Sequence, residues 1–289
     1  MRFPTGIPLK LAFTALLALP ALIIAQNLTS EQAFNAKRTL SIGVVLFPGF
    51  EPLDVYGPME LLVSLSTMVK MTVSFISFAP GPVNSRYTPF SATPGAPPSV
   101  FGYVLGTSTL ATHAFADAPA LDVILVPGGT GTRTLVEHRD DPARGSGVVE
   151  DFLRRRADQA DYILGVCTGS ALLARAGLLD GRRATTNKAA WGWVTGAGSD
   201  SNPNITWVPS ARWTVDGKVW TSSGVAAGMD MAYAFARRAY GPGLADRAAE
   251  IMEYAPHQDP DWDPFSVVHQ VPGANMSESL VSCVKPAGY

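Results

Sequence analysis

The chain is short of cysteine, histidine and net charge, and each shortage closes off a class of protein. Two cysteines, Cys167 and Cys283, stand in 289 residues. They are too few for a disulfide scaffold, so the fold must rest on its core. A Cys167–Cys283 bridge is open to the sequence and would cap the first thiol. The four histidines, His113, His138, His257 and His269, pair neither with one another nor with a cysteine at ligand spacing. No metal constellation follows, and each reads as a surface or loop residue. With 22 basic against 24 acidic residues and net charge −2, there is no basic field for nucleic acid. The Gly-rich turns lack a Gly-Lys-Ser/Thr ending, which excludes a phosphate-cradling loop. No cofactor is expected. Neither an internal repeat nor a strong linker divides the chain.

One apolar run, residues 11–25, is uncharged, follows Arg2 and Lys10, and ends on Ala25. It falls short of the ~20 residues that a membrane span needs. The pattern reads as a secretory signal peptide over residues 1–25, cleaved near Ala25-Gln26, with an uncleaved anchor as the alternative. Three sequons, at Asn27, Asn204 and Asn275, agree with a secreted glycoprotein. After cleavage no membrane contact is expected.

The remainder divides into a polar lead-in (26–39), a domain (40–255) and an irregular C-terminal tail (256–289). Residues 40–47 form a continuous β-branched apolar run of the kind buried on both faces of a parallel sheet. Residues 71–78 and 121–126 give further strands, and Asp216-Gly217 marks a hairpin. Helices are expected over 53–63 with a break near Pro58, then over 148–157, 225–240 and 244–254. The Pro-, Gly- and Ser-rich stretch 79–98 is assigned mostly to loop. Alternating strand and helix predict an open α/β sheet with ligands at the carboxyl ends of its strands. The turns after Phe47, Val126 and Val166 then converge on one crevice.

The third of these turns carries the chemistry. In Gly165-Val166-Cys167-Thr168-Gly169-Ser170 an apolar strand turns into a helix around a single thiol, the cysteine form of a nucleophile elbow. A helix N-terminus should favour the thiolate, and the Thr168 amide is placed for an oxyanion. A buried structural cysteine is the plainer alternative. Asp54, in Leu53-Asp54-Val55-Tyr56-Gly57-Pro58, is either an acid-base partner or a helix N-cap. Gly128 and Gly129 line the crevice or simply end a strand. The Thr168 hydroxyl orients a substrate or caps the helix. Arg182 and Arg183 read as solvated, and at most one of Trp191 and Trp193 lines a pocket.

Four segments in order, around Phe47-Pro48-Gly49-Phe50, Val126-Pro127-Gly128-Gly129, Cys167 and Ala176–Thr186, resemble the ThiJ/PfpI superfamily of class I glutamine amidotransferase-like proteins. The branch resembled includes bacterial isonitrile hydratases and the amidotransferase-like domains of some transcription regulators. The resemblance implies a flavodoxin-like three-layer α/β sandwich with a mainly parallel sheet, and a homodimer. It assigns Cys167 as nucleophile, Asp54 as the carboxylate that approaches the thiol, and the Gly129 and Thr168 amides as oxyanion donors. Many relatives read Thr-Thr-His where this chain has Thr185-Thr186-Asn187, so a Cys–His pair is in doubt. The expected activity is hydration of a small electrophilic substrate, with isonitrile to N-substituted formamide as the template reaction. A glyoxalase-like reaction on an α-oxoaldehyde and a non-catalytic thiol sensor are the alternatives.

Overall fold

In the computed structural model, residues 28–86 and 105–277 are described. The leader, Asn27 and Cys283 lie outside them. A seven-stranded sheet forms the centre. It comprises β1 (Leu40–Val45), β2 (Met71–Ser77), β5 (His113–Ala114), β6 (Val123–Val126), β7 (Tyr162–Val166), β10 (Trp213–Asp216) and β11 (Val219–Ser222). The order is β10-β11-β7-β6-β1-β2-β5. All neighbours are parallel except β10 with β11, which meet as the hairpin expected at Asp216-Gly217. β1, β6 and β7 are almost wholly buried, which accounts for their continuous apolar runs.

Helices flank both faces and complete the three-layer α/β sandwich. On one side α2 (Pro52–Ser66) packs on α7 (Val225–Tyr240) and α8 (Pro242–Ile251), with α1 (Ser30–Asn35) against α7. On the other side are α3 (Gly131–Glu137), α4 (Ser146–Ala157) and α5 (Gly169–Arg175). Phe235 of α7 meets Tyr162 and Trp220 of the sheet in edge-to-face contacts at 5.0 and 6.1 Å. Across the opposite layer, buried Glu150 accepts from Ser146, Arg139 and Arg175, which ties α4 to the helix that follows the elbow.

Two expectations are corrected. The helix over Pro58 does not break, and α2 runs through it. Gly57 lets α2 approach α7 so closely that a Cβ there would stand 2.6 Å from Met229 Cγ, and that packing offsets the lost hydrogen bond of an interior proline. Within the stretch read mostly as loop, β3 (Gly81–Asn84) pairs antiparallel with β4 (Ser108–Ala111). Pro82 is tolerated because the ribbon has only two strands, both of them edges. Arg182 is not simply solvated, since it bonds Asp216 at 3.1 Å.

Smaller elements follow the elbow. They are β8 (Arg183–Ala184) paired with β9 (Thr206–Trp207), and α6 (Trp191–Thr195). Residues 256–277 fold back onto the body. Asp263 N–H donates to Ser210 O at 2.7 Å, Arg212 N–H to Pro260 O at 2.8 Å, and a short helix, α9 (Phe265–Val268), follows. Trp262 and Val271 are buried there.

Candidate active site

Because β1, β6 and β7 are adjacent and parallel, their carboxyl-terminal turns lie side by side. The turns interlock through backbone: Glu51 N–H donates to Gly128 O at 2.8 Å and Gly131 N–H to Gly49 O at 2.9 Å. Gly128 touches the elbow, where a Cβ would stand 2.5 Å from Thr168 N, and Gly129 has φ +130°. Neither position accepts a side chain without moving the crevice walls.

Cys167 holds φ +58°. A non-glycine residue in that region costs roughly 1–3 kcal/mol and survives only where its surroundings enforce it. Here they do. Its N–H donates to the carbonyls of Ser222 and Ser223 at 3.2 and 3.0 Å. Its carbonyl accepts the hydroxyls of Ser170 and Thr186, both at 3.0 Å. Cys167 is a free thiol, buried at 5% exposure.

Asp54 is fully buried beside it. It is not the helix N-cap: Glu51 holds that position, and Asp54 Oδ2 instead accepts the Gly128 amide at 2.8 Å. Oδ1 has no partner of ordinary hydrogen-bond geometry, while the Cys167 thiol lies close enough to act as a weak donor to the carboxyl. Burial raises the Asp54 pKa to about 7, and the nearby Glu51 charge adds to the rise. Burial also pushes the Cys167 thiol well above its ordinary value, reinforced by Asp54. The thiolate expected from the elbow is thus corrected to a neutral thiol. Desolvation exceeds the help of the following helix, which is only seven residues long.

Two donors face the sulfur, the Thr168 backbone amide and the side chain of Asn187. Asn187 Oδ1 accepts Ala190 N–H at 2.9 Å, so its amide nitrogen is the end left to donate. The Gly129 amide is occupied, because it donates to Thr168 Oγ1 at 3.0 Å. The Thr168 hydroxyl makes no helix cap and serves instead as the clasp between two turns, with Thr132 Oγ1 at 3.1 Å. Sequence reasoning missed Asn187 and Glu51 as site residues. The signal for Asn187 was present, since it follows Thr185-Thr186 where many relatives place histidine. None of the four histidines is among the groups acting on the thiol.

A cavity of about 300 Å³ opens behind Asn187, with Lys188, Ser223, Gly224, Asp263 and Phe265 among its walls. Neither Trp191 nor Trp193 lines it; they pack against Trp207 and Arg133 respectively. Among the described residues no cluster of three or more His, Cys, Asp or Glu is placed to hold a metal ion.

The model of the DJ-1/PfpI family matches residues 40–238. An isonitrile hydratase of Pseudomonas putida is 34% identical over 237 residues, spanning 80% of this chain and 88% of that protein. The transcriptional regulator GbdR of Pseudomonas aeruginosa is 32% identical over 138 residues, 48% of this chain and 34% of that protein. Among solved structures, a ThiJ/PfpI family protein from Pseudomonas syringae aligns with TM-score 0.58 and 23% identity, covering 83% of this chain and 86% of that one. DJ-1beta of Drosophila melanogaster aligns with TM-score 0.55 and 19% identity, over 75% and 100%. These two likenesses concern the fold.

Proposed function

The chain belongs to the DJ-1/PfpI family, and from that premise we propose that it is a cysteine-dependent hydratase that converts an isonitrile to an N-substituted formamide. The observation that carries the reading is a buried pair, Cys167 and Asp54, both held toward their protonated forms with no histidine base beside them. Amide or ester cleavage needs a ready nucleophile and a base. An isonitrile needs the reverse, because its terminal carbon accepts a proton and then a nucleophile. A neutral carboxylic acid suits the first event.

In the proposed sequence Asp54 protonates the terminal carbon and the sulfur of Cys167 bonds to it. The thiol proton passes to Asp54, leaving a thioimidate on Cys167. Water adds to that carbon, one of its protons going to the substrate nitrogen and the other to the departing sulfur. The C–S bond breaks, and the formamide leaves. An oxyanion arises only after water adds, when the carbon leaves the sulfur and the Thr168 amide beside it can turn to the oxygen, so one donor suffices, whereas acyl transfer usually calls on two. The 34% identity to an isonitrile hydratase supports the same reading.

The thiol-sensor alternative loses support, since reversible oxidation favours an exposed thiol of low pKa and Cys167 is neither. We further propose that the enzyme works after export, from the leader and from sequons whose Asn204 and Asn275 are exposed.

Purified protein incubated with a simple alkyl isonitrile should yield the formamide, followed by NMR. Cys167→Ser and Asp54→Asn should each lower kcat/KM at least ~100-fold. Consumption of methylglyoxal in place of the isonitrile would transfer the reading to a glyoxalase, and inertness toward both would reject it.

A further inference from the structure

The cavity behind Asn187 is partly built by chain that lies beyond the family match at residues 40–238: Asp263 and Phe265 come from the C-terminal segment. Much of its wall is apolar, with Ala226 and Phe265 near the surface and Ala227 buried. Its polar residues are more unusual. Asp263 is 1% exposed, and its Oδ2 has no hydrogen-bond partner, although Oδ1 accepts Phe265 N–H at 3.2 Å and stands 3.5 Å from Arg212. A buried carboxylate oxygen without a donor is costly, and such a group in a native structure calls for an explanation.

Lys188 lies in the same wall, 3% exposed. Its ammonium donates to Thr185 Oγ1 and to Ala211 O, both at 2.7 Å, which uses two of its three hydrogens. Arg212 is held by Asp230 at 2.5 Å. The cavity wall therefore holds a buried acceptor without a partner, Asp263 Oδ2, and the Lys188 ammonium, whose third hydrogen has no hydrogen-bond partner although the group lies over the Trp191 ring at 5.1 Å.

We propose that this cavity binds the nitrogen substituent of the substrate, and that Asp263 and Lys188 select a substituent carrying a neutral hydroxyl group. A hydroxyl both donates and accepts, so it satisfies the two at once. An ammonium substituent would meet Lys188 and Arg212 as like charges, and a carboxylate would meet Asp263. The apolar walls take the carbon skeleton. Asn187 and Ser223 belong to the cavity wall and both also contact Cys167, Asn187 through its side chain at the sulfur and Ser223 through its carbonyl at the Cys167 N–H, so a substituent seated there lies next to the thiol. The assignment of the ligand as an N-substituent rests on the hydratase reading. The choice of a hydroxyl rests on the cavity alone.

The test separates the two by measuring binding of unreactive product formamides, matched in size and ending in hydroxyl, methyl or ammonium, by calorimetry on the full chain. The hydroxyl compound should bind about tenfold more tightly than the methyl one, as expected for a hydrogen bond to a charged group. Asp263→Asn keeps an oxygen for the Phe265 amide but replaces the free acceptor, and should reduce that ratio to about one. Ala226→Leu, an exposed position, should weaken the longer compounds and spare the shortest, with thermal melts confirming that both variants are folded. Equal binding of hydroxyl and methyl compounds, a preference for ammonium, or no binding of any would overturn the proposal. Selective binding without turnover of the matching isonitriles would leave the cavity assignment standing and reject the hydratase reading.

Discussion

Gly128 donates its backbone amide to Asp54 Oδ2 at 2.8 Å, and that bond fixes which way the carboxyl faces. It leaves Oδ1 without a regular partner in a site shared with the Cys167 thiol. If Asp54 acts as the acid, its protonated form is the working one, and its pKa of about 7 sets where activity declines. We expect kcat/KM to be flat toward acid pH and to fall about tenfold per pH unit above neutrality. Glu51→Gln removes a charge that raises Asp54, so the decline should begin at lower pH. A profile that rises through neutrality would show that a base, not an acid, limits the reaction.

The same carboxyl affects stability. Its folded pKa, about 7, lies above the unpaired value of 3.8, so the folded state binds the proton more tightly than the unfolded chain. That contribution is fully present below the unfolded value and is lost as pH rises through the folded one, at a cost of up to ~4 kcal/mol by pH 8. Asp54→Asn keeps an acceptor for Gly128 and has no charge to bury. Denaturant titrations should find the variant more stable than the parent at pH 8, with the difference closing at about pH 4. A pH-independent difference would mean that the carboxyl is already solvated in the native state.

Export is tested on the protein itself. Expressed with its leader in a eukaryotic secretory host, the chain should appear in the medium with Gln26 at its N-terminus. Glycosidase treatment should lower its mass, and Asn204→Gln and Asn275→Gln should each remove one step of that shift if the site is used. Retention in the membrane fraction with residues 1–25 intact would support the anchor alternative.

Much of the fold was legible because β1, β6 and β7 are buried on both faces and announce themselves as unbroken apolar runs. Cys167 and Asp54 were legible through the motifs around them. What was not legible depended on neighbours distant in sequence. Pro58 reads as a helix break until α7 packs beside Gly57, and Gly81–Asn84 reads as a turn until Ser108–Ala111 supplies the second strand. The charge state of the thiol was misread for the same reason: local sequence shows a helix start, whereas burial and Asp54 decide the outcome. Nor does any motif mark Asp263, which reaches the cavity only because residues 256–277 fold back over it.

Asn187 offers the sharpest test of how the thiol is controlled. Its amide donates to the sulfur but carries no charge and takes no proton. In the parent, alkylation of Cys167 by iodoacetamide should accelerate only at pH above the usual thiol range, because burial and Asp54 both oppose the thiolate. Asn187→His places a proton acceptor and potential cation at the same point. The inflexion should then fall by at least about one pH unit. Asn187→Asp adds a like charge and should move it upward by a comparable amount. The pair of variants separates charge from size, since a simple loss of packing would shift both in one direction. Hydration should suffer in either variant: histidine diverts the site toward a Cys–His ion pair, and aspartate suppresses attack by the sulfur. An inflexion that ignores position 187 would place the control of Cys167 entirely with Asp54 and the elbow backbone.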